Sequence, residues 1–205
     1  MNAPISPSIR KAFEFAWITF KANFGLMAAC VFTFFGSWVV LEVLVVAGQR
    51  LGFIWWLAVH ISFFIIFAGL EVGFIRICLS IHNEQQVAYT DIFQALRLGV
   101  MYLLVQLVYF GIILIGLVLL IVPGVYYGTR YALYGQVFAE GNASLKQAFR
   151  RSAGISQGAM RVIFWLGVTT ILLNIAGASF LGVGLFVTVP ISAFMKVYIY
   201  RHLTN

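Results

Sequence analysis

"GIILIGLVLLIVPGVYYGTRYALYGQVFAEG", Gly111 to Gly141, decides how the chain is read. Its only charges are Arg130 and Glu140, and the rest is apolar enough to lie in a bilayer. Pro123-Gly124 interrupts it. Proline lacks a backbone N–H and biases the residue before it out of the helical region. Glycine then permits a sharp change of direction. The pair reads as a tight turn between two membrane spans, the second starting at Val125. A kink inside one long helix, 112–139, is the competing reading. Only the turn keeps the charged segments on either side of the stretch at one membrane face.

Arg130 would then sit about 7.5 Å into the second span, at 1.5 Å rise per residue. An arginine at such depth snorkels or finds a carboxylate. Glu42 and His60, on two earlier spans, are expected at a similar depth. The expectation is a buried polar cluster of Glu42, His60, Arg130 and Tyr131, with Glu42 facing Arg130. A structural ion pair and a substrate-contacting site are both open readings of it.

The whole chain supports a membrane location. Of its 205 residues, 62% are hydrophobic and only 9% charged, with mean hydropathy +1.00. A soluble domain carries about 25% charged residues. Uncharged runs exceed the roughly 20 residues that cross a bilayer. Spans are expected at 24–46, 53–75, 99–121 and 125–139, with two short ones in 162–195 turning at the glycine-rich 177–184. That makes six.

Charge then orients them. Eleven of the thirteen Lys and Arg residues fall in segments that would share one side, leaving Arg50 on the other and Arg130 inside a span. Cytoplasmic loops collect Lys and Arg, so both termini are expected in the cytoplasm. The net charge of +7 is scattered at span ends rather than clustered, which argues against a nucleic-acid partner.

Three segments preceding span pairs have a 3.6-residue apolar period. Ile9, Ala12, Phe13, Ala16, Trp17 and Phe20 share one face; so do Ile92, Ala95, Leu96 and Gly99, and Leu145, Ala148, Phe149 and Ser152. Thr90 or Asp91 would cap the second, and Ser144 with Gln147 forms a capping box on the third. These read as amphipathic helices lying in the interface, with Arg10, Lys11, Arg97, Lys146, Arg150 and Arg151 turned to anionic lipid. "IRKAFEF", "IFQALRL" and "LKQAFRR" align at Ala12, Ala95 and Ala148. A single domain of three repeats, 8–80, 89–140 and 143–202, follows.

Ile121-Val122-Pro123-Gly124, Arg130-Tyr131-Ala132 and Ala148-Phe149-Arg150-Arg151-Ser152 carry a resemblance. The chain resembles the YciC-like bacterial integral membrane proteins, related to the membrane domain attached to some glycerophosphodiester phosphodiesterases. The resemblance implies a bacterial inner-membrane protein without a catalytic signature. No soluble hydrolase domain is present, so no hydrolase activity carries over.

Other polar residues read as structural. Glu71 and Arg76 are expected at the cytoplasmic end of span two in interfacial or inter-helical contacts. Thr169, Thr170 and Asn174 are expected to hydrogen-bond between helices. Cys30 and Cys78 have no neighbour at metal or redox spacing and read as buried small residues. No zincin, nucleophile-elbow or phosphate-loop motif occurs, so neither cofactor, metal nor catalytic residue is expected. The leading functional expectation is a non-enzymatic module that interacts with lipid, with a second copy or with a membrane-protein partner. A transporter or channel using the polar residues around Arg130 is the alternative.

Overall fold

A computed structural model of the chain describes residues 8–141, 144–180 and 182–204. All regular structure among these residues is helical: α1 (Ile9–Ala22), α2 (Phe24–Ala47), α3 (Gly52–His82), a 3-10 helix (Tyr89–Leu98) leading directly into α4 (Gly99–Leu119), α5 (Ile121–Arg130), α6 (Tyr134–Gly141), α7 (Leu145–Ile155), α8 (Met160–Ser179) and α9 (Leu185–Thr204), with a single 3-10 turn (Gln49–Leu51) between α2 and α3. Four stretches are long and apolar enough to cross a membrane: Phe24–Ala47, Gln49–His82, Tyr89–Leu119 and Met160–Ser179. Their outward side chains are large and apolar, Ile54 and Val118 among the most exposed. Water would not tolerate an apolar surface of that extent, whereas a bilayer does. The architecture is that of a multi-pass helical membrane protein.

The helices pack in a regular order. Three hairpins form, α2 with α3, α4 with α5, and α8 with α9. The 3-10 helix lies on α3, α7 lies on α6, and α1 lies on α9. The inner helices α3, α6 and α9 touch one another in the middle. The start of the third expected repeat, residue 143, lies outside the described residues.

Small residues make these contacts close. Ala12 and Ala16 of α1, Ala95 of the 3-10 helix, and Ala148 and Ser152 of α7 are all fully buried. Each pair is spaced i, i+4, and Gly99 completes the set four residues after Ala95. Such spacing lets helix backbones approach. The tightest contact with another helix's backbone is on α3, where a Cβ on Gly73 would sit 2.0 Å from the Ile92 carbonyl oxygen. One on Gly99 would sit 2.1 Å from the Ile65 oxygen.

These contacts set the three leading helices against the bundle by their small-residue faces. The 3-10 helix climbs along α3 and joins α4 without a break. Helix α1 divides its apolar face, burying Ala12, Ala16 and Phe20 while Phe13 and Trp17 stay about 40% exposed. Two alanines and Phe20 take the close helix contact, and Phe13 and Trp17 are left facing outward. Asp91 caps the 3-10 helix from its third position, its Oδ2 accepting from the Ala88 amide at 2.8 Å. On α7 the Ser144 amide donates to Gln147 Oε1 at 3.1 Å, as the capping box requires.

The Pro123-Gly124 turn is displaced. The chain reverses at Leu120, which is extended (φ −164°, ψ 139°), and α5 has begun at Ile121. Pro123 therefore lies within the first turn of a helix, where a missing N–H leaves no hydrogen bond unmade. Gly124 serves packing: a Cβ there would meet Leu117 Cγ at 2.7 Å. The expected single span 125–139 is two short helices with a break at residues 131–133.

Candidate functional site

That break shapes the interior. Where α5 stops, the Arg130 carbonyl has no helical partner. Ser156 Oγ donates to it at 2.9 Å and Ser152 Oγ approaches at 3.5 Å, so α7 satisfies the broken end. Helix α6 can then turn into the middle of the bundle, where residues 133–139 are all buried. Beside it lies a cavity of about 350 Å³ between α2, α3, α4, α6, α8 and α9.

Each inner helix contributes a polar side chain to this cavity: Glu71 from α3, Gln136 from α6 and Lys196 from α9. Glu71 accepts from Tyr102 Oη at 3.1 Å and from Gln106 Nε2 at 2.6 Å. Both of its oxygens are thereby engaged from α4. Lys196 lies within the field of Glu71, yet no ion pair within 4.0 Å joins them among the described residues. Asn174 Nδ2 bridges α8 to α9 through Ser192 Oγ at 3.1 Å, the inter-helical bond expected of it. Thr170 Oγ1 turns back onto the Gly167 carbonyl of its own helix. Gln136 Oε1 and Asn174 Oδ1 are buried acceptors with no donor. Among the described residues the cavity is thus lined by one satisfied carboxylate and one ammonium without a hydrogen-bond partner, with two undonated amide oxygens buried beside it.

At the basic end of the bundle the charges are consumed structurally. Glu140 accepts from Tyr200 Oη and Arg201 Nη1 and lies 3.8 Å from Arg151 Nη2, tying α6 to α9 and α7. Arg76 Nε donates to the Ala139 carbonyl at 3.0 Å, joining α3 to α6. Arg10, Lys11, Arg97, Lys146, Arg150 and Arg151 are exposed, and Arg10 pairs with Glu14 at 2.8 Å. A larger groove of about 1010 Å³ runs between α2 and α3, but its lining is almost wholly apolar.

The cluster expected around Arg130 does not assemble among the described residues. Arg130 Nη1 donates to Tyr126 Oη at 2.9 Å on its own helix. Glu42 is exposed on α2. His60 Nδ1 bonds the Trp56 carbonyl at 2.8 Å, with its ring 4.1 Å from the Trp56 ring. Tyr131 packs against Tyr127 and Phe149. With the turn at Leu120, Arg130 is the last residue of α5, about 14 Å from its start rather than half that. A double-mutant cycle on thermal unfolding in detergent separates the two arrangements. Arg130→Ala with Glu42→Ala is expected to be additive within about 0.5 kcal/mol, whereas Arg130→Ala with Tyr126→Phe should depart from additivity.

Lys196 and Gln136 escaped the sequence reading, and Glu71 was placed in another role. Ending the span at Met195, just before the first charge, put Lys196 outside the membrane segment; α9 in fact runs on to Thr204. The overlooked signal is the apolar run "VYIY" after Lys196, which continues the helix past the charge. Cys30 and Cys78 are buried and free. Among the described residues no three His, Cys, Asp or Glu side chains gather where they could hold a metal ion.

Comparison with known proteins returned no matching family model, no matching curated protein and no matching solved structure.

Proposed function

We propose that the protein is a membrane-embedded, non-enzymatic carrier whose binding site is the cavity between α3, α6 and α9. The observation behind this reading is Lys196, a charged side chain midway along a helix of the bundle, facing a cavity and making no ion pair. An ionisable group at that depth is costly unless it has a task. The broken α5–α6 element beside the cavity fits the same reading, since non-helical backbone in a membrane is tolerated where it is buried or lines a cavity.

The carrier has six crossings: the four long apolar stretches, the α5–α6 pair and α9. Its basic end faces the cytoplasm of a bacterial inner membrane, with both termini there. The exposed arginines and lysines of α1, the 3-10 helix and α7 meet anionic lipid on that side. The three repeats are arranged cyclically, each leading helix resting on the last helix of the repeat before it and α1 closing the ring on α9. Membership in the YciC-like proteins is consistent with this arrangement.

Water access to the cavity tests the reading. Ser192→Cys, on the lining, should react with a charged thiol reagent in intact membranes, while Ile163→Cys, in the packed core, stays unlabelled. Cys30 and Cys78 are buried, so the unsubstituted protein supplies the blank. An unreactive Ser192→Cys alongside a reactive Gln85→Cys control would count against a ligand cavity.

A further inference from the structure

A second pocket adjoins the cavity. Lys196 and Asn174 also line a separate pocket of about 400 Å³ with Thr170, Ile171, Ile175 and Ala178. Ile171 and Ile175 are among the most exposed apolar residues of α8, on its membrane-facing side. Lys196 therefore stands between an interior cavity and a window that opens sideways between α8 and α9. A site for a freely soluble solute needs no opening onto the hydrocarbon.

The interior cavity is itself divided. Phe34, Phe67, Leu185 and Val189 line one part, and Glu71, Gln136 and Lys196 the other. The sign of the ligand charge follows from the partners. Glu71 already accepts two hydrogen bonds, so it calls for no cation. Lys196 offers three N–H donors and has no acceptor within hydrogen-bond reach among the described residues. Gln136 is 4% exposed, and its Oε1 is without a donor. Asn174 spends its Nδ2 on the Thr170 carbonyl and Ser192 Oγ, leaving Oδ1 open. An anionic head would give the Lys196 ammonium the acceptor it lacks.

We infer that the ligand is an amphiphile with a compact anionic head, a carboxylate or a phosphate, which enters sideways between α8 and α9 and seats that head on Lys196. The inference rests on the carrier reading above and gives it a substrate class. The head fits the inner cavity, and the hydrocarbon tail remains in the window or the bilayer. Lys196 acts by charge and by donating hydrogen bonds; no covalent step is involved.

Native mass spectrometry of the full chain released from phosphatidylcholine nanodiscs tests it. Separate arms contain oleate, phosphatidate, or inorganic phosphate as a head without a tail. The expected result is retention of oleate or phosphatidate over phosphatidylcholine, and no retention of phosphate alone; the better-retained arm identifies the head. Lys196→Gln should lower that retention about tenfold, the loss of one charge-assisted hydrogen bond. Ala178→Trp fills the window, leaves Lys196 in place, and should lower it comparably. If Lys196→Gln fails to fold, the Ala178→Trp result decides. Equal retention by wild type and either folded variant overturns the inference, as does binding of phosphate without a tail. In those cases a labelled Ser192→Cys would leave the carrier reading standing, whereas an unlabelled one removes both.

Discussion

Gly73→Ala is expected to destabilise the protein more than any other single-methyl addition. The new Cβ would lie 2.0 Å from the Ile92 carbonyl oxygen and 2.9 Å from the Ile92 Cα. These are backbone atoms, so no rotamer change can relieve the clash. Either the 3-10 helix moves off α3 or α3 bends. Overpacking costs roughly 1–3 kcal/mol where side chains can adjust, and more where they cannot. Gly25→Ala on α2 is the control, because nothing lies within 4 Å of its added Cβ. Replacing a helical glycine by alanine in open space is worth up to about 1 kcal/mol of added stability. Thermal unfolding in one detergent should therefore move the two variants in opposite directions. Equal midpoints for Gly73→Ala and Gly25→Ala would mean that α3 and the 3-10 helix are not in backbone contact.

Glu71→Ala should be the next largest loss. It strips the acceptor from Tyr102, which is 1% exposed, and from Gln106. Each buried donor left without an acceptor costs about 1–3 kcal/mol. It also leaves Lys196 as a positive charge with no opposite charge beside the cavity, and an uncompensated buried charge is a larger penalty still. Glu71→Gln keeps one accepting oxygen and the side-chain volume, so its loss should be smaller. The expected order of midpoints is wild type, then Glu71→Gln, then Glu71→Ala. Adding Lys196→Met to Glu71→Ala removes the orphaned charge and should restore part of the stability. If the second substitution lowers the midpoint further, Lys196 is held by something other than the Glu71 field.

The two predictions concern residues of different legibility. The contact at Gly73 was half visible: Ile92, Ala95, Leu96 and Gly99 formed one face in the sequence, and that face is the one that meets α3. Its partner was not visible, because nothing local in the sequence marks Gly69 and Gly73 as a docking face. The Glu71 network was less visible again. Glu71, Gln106, Gln136 and Lys196 are far apart in sequence, and no local spacing connects them.

Local chemistry settled the helices by itself. The apolar run after Asn23 gives α2 from Phe24, and Gly99 opens α4. Glycines 177–184 separate α8 from α9, and the Gly177 and Gly184 backbones pack so closely that neither has room for a Cβ. Ala12, Ala95 and Ala148, aligned by pattern alone, are each fully buried. Composition placed these helices in a membrane, because a stretch of some 20 apolar residues must satisfy its backbone internally and avoid water.

Which polar side chains meet was decided only by tertiary packing. In water, a helix announces its buried face by putting polar residues on the other. In a bilayer, the lipid and the protein core are equally apolar, so that signal fades. Helices α2, α3, α8 and α9 show almost no apolar sidedness. Depth counted from a turn was all that suggested Glu42 for Arg130, and a turn at Leu120 instead of Pro123-Gly124 undid it. Glu71, Gln136 and Lys196 face one cavity because α3, α6 and α9 pack together at the centre, and α6 reaches the centre because Ser152 and Ser156 satisfy the end of α5. That chain of contacts exists only once the helices have assembled.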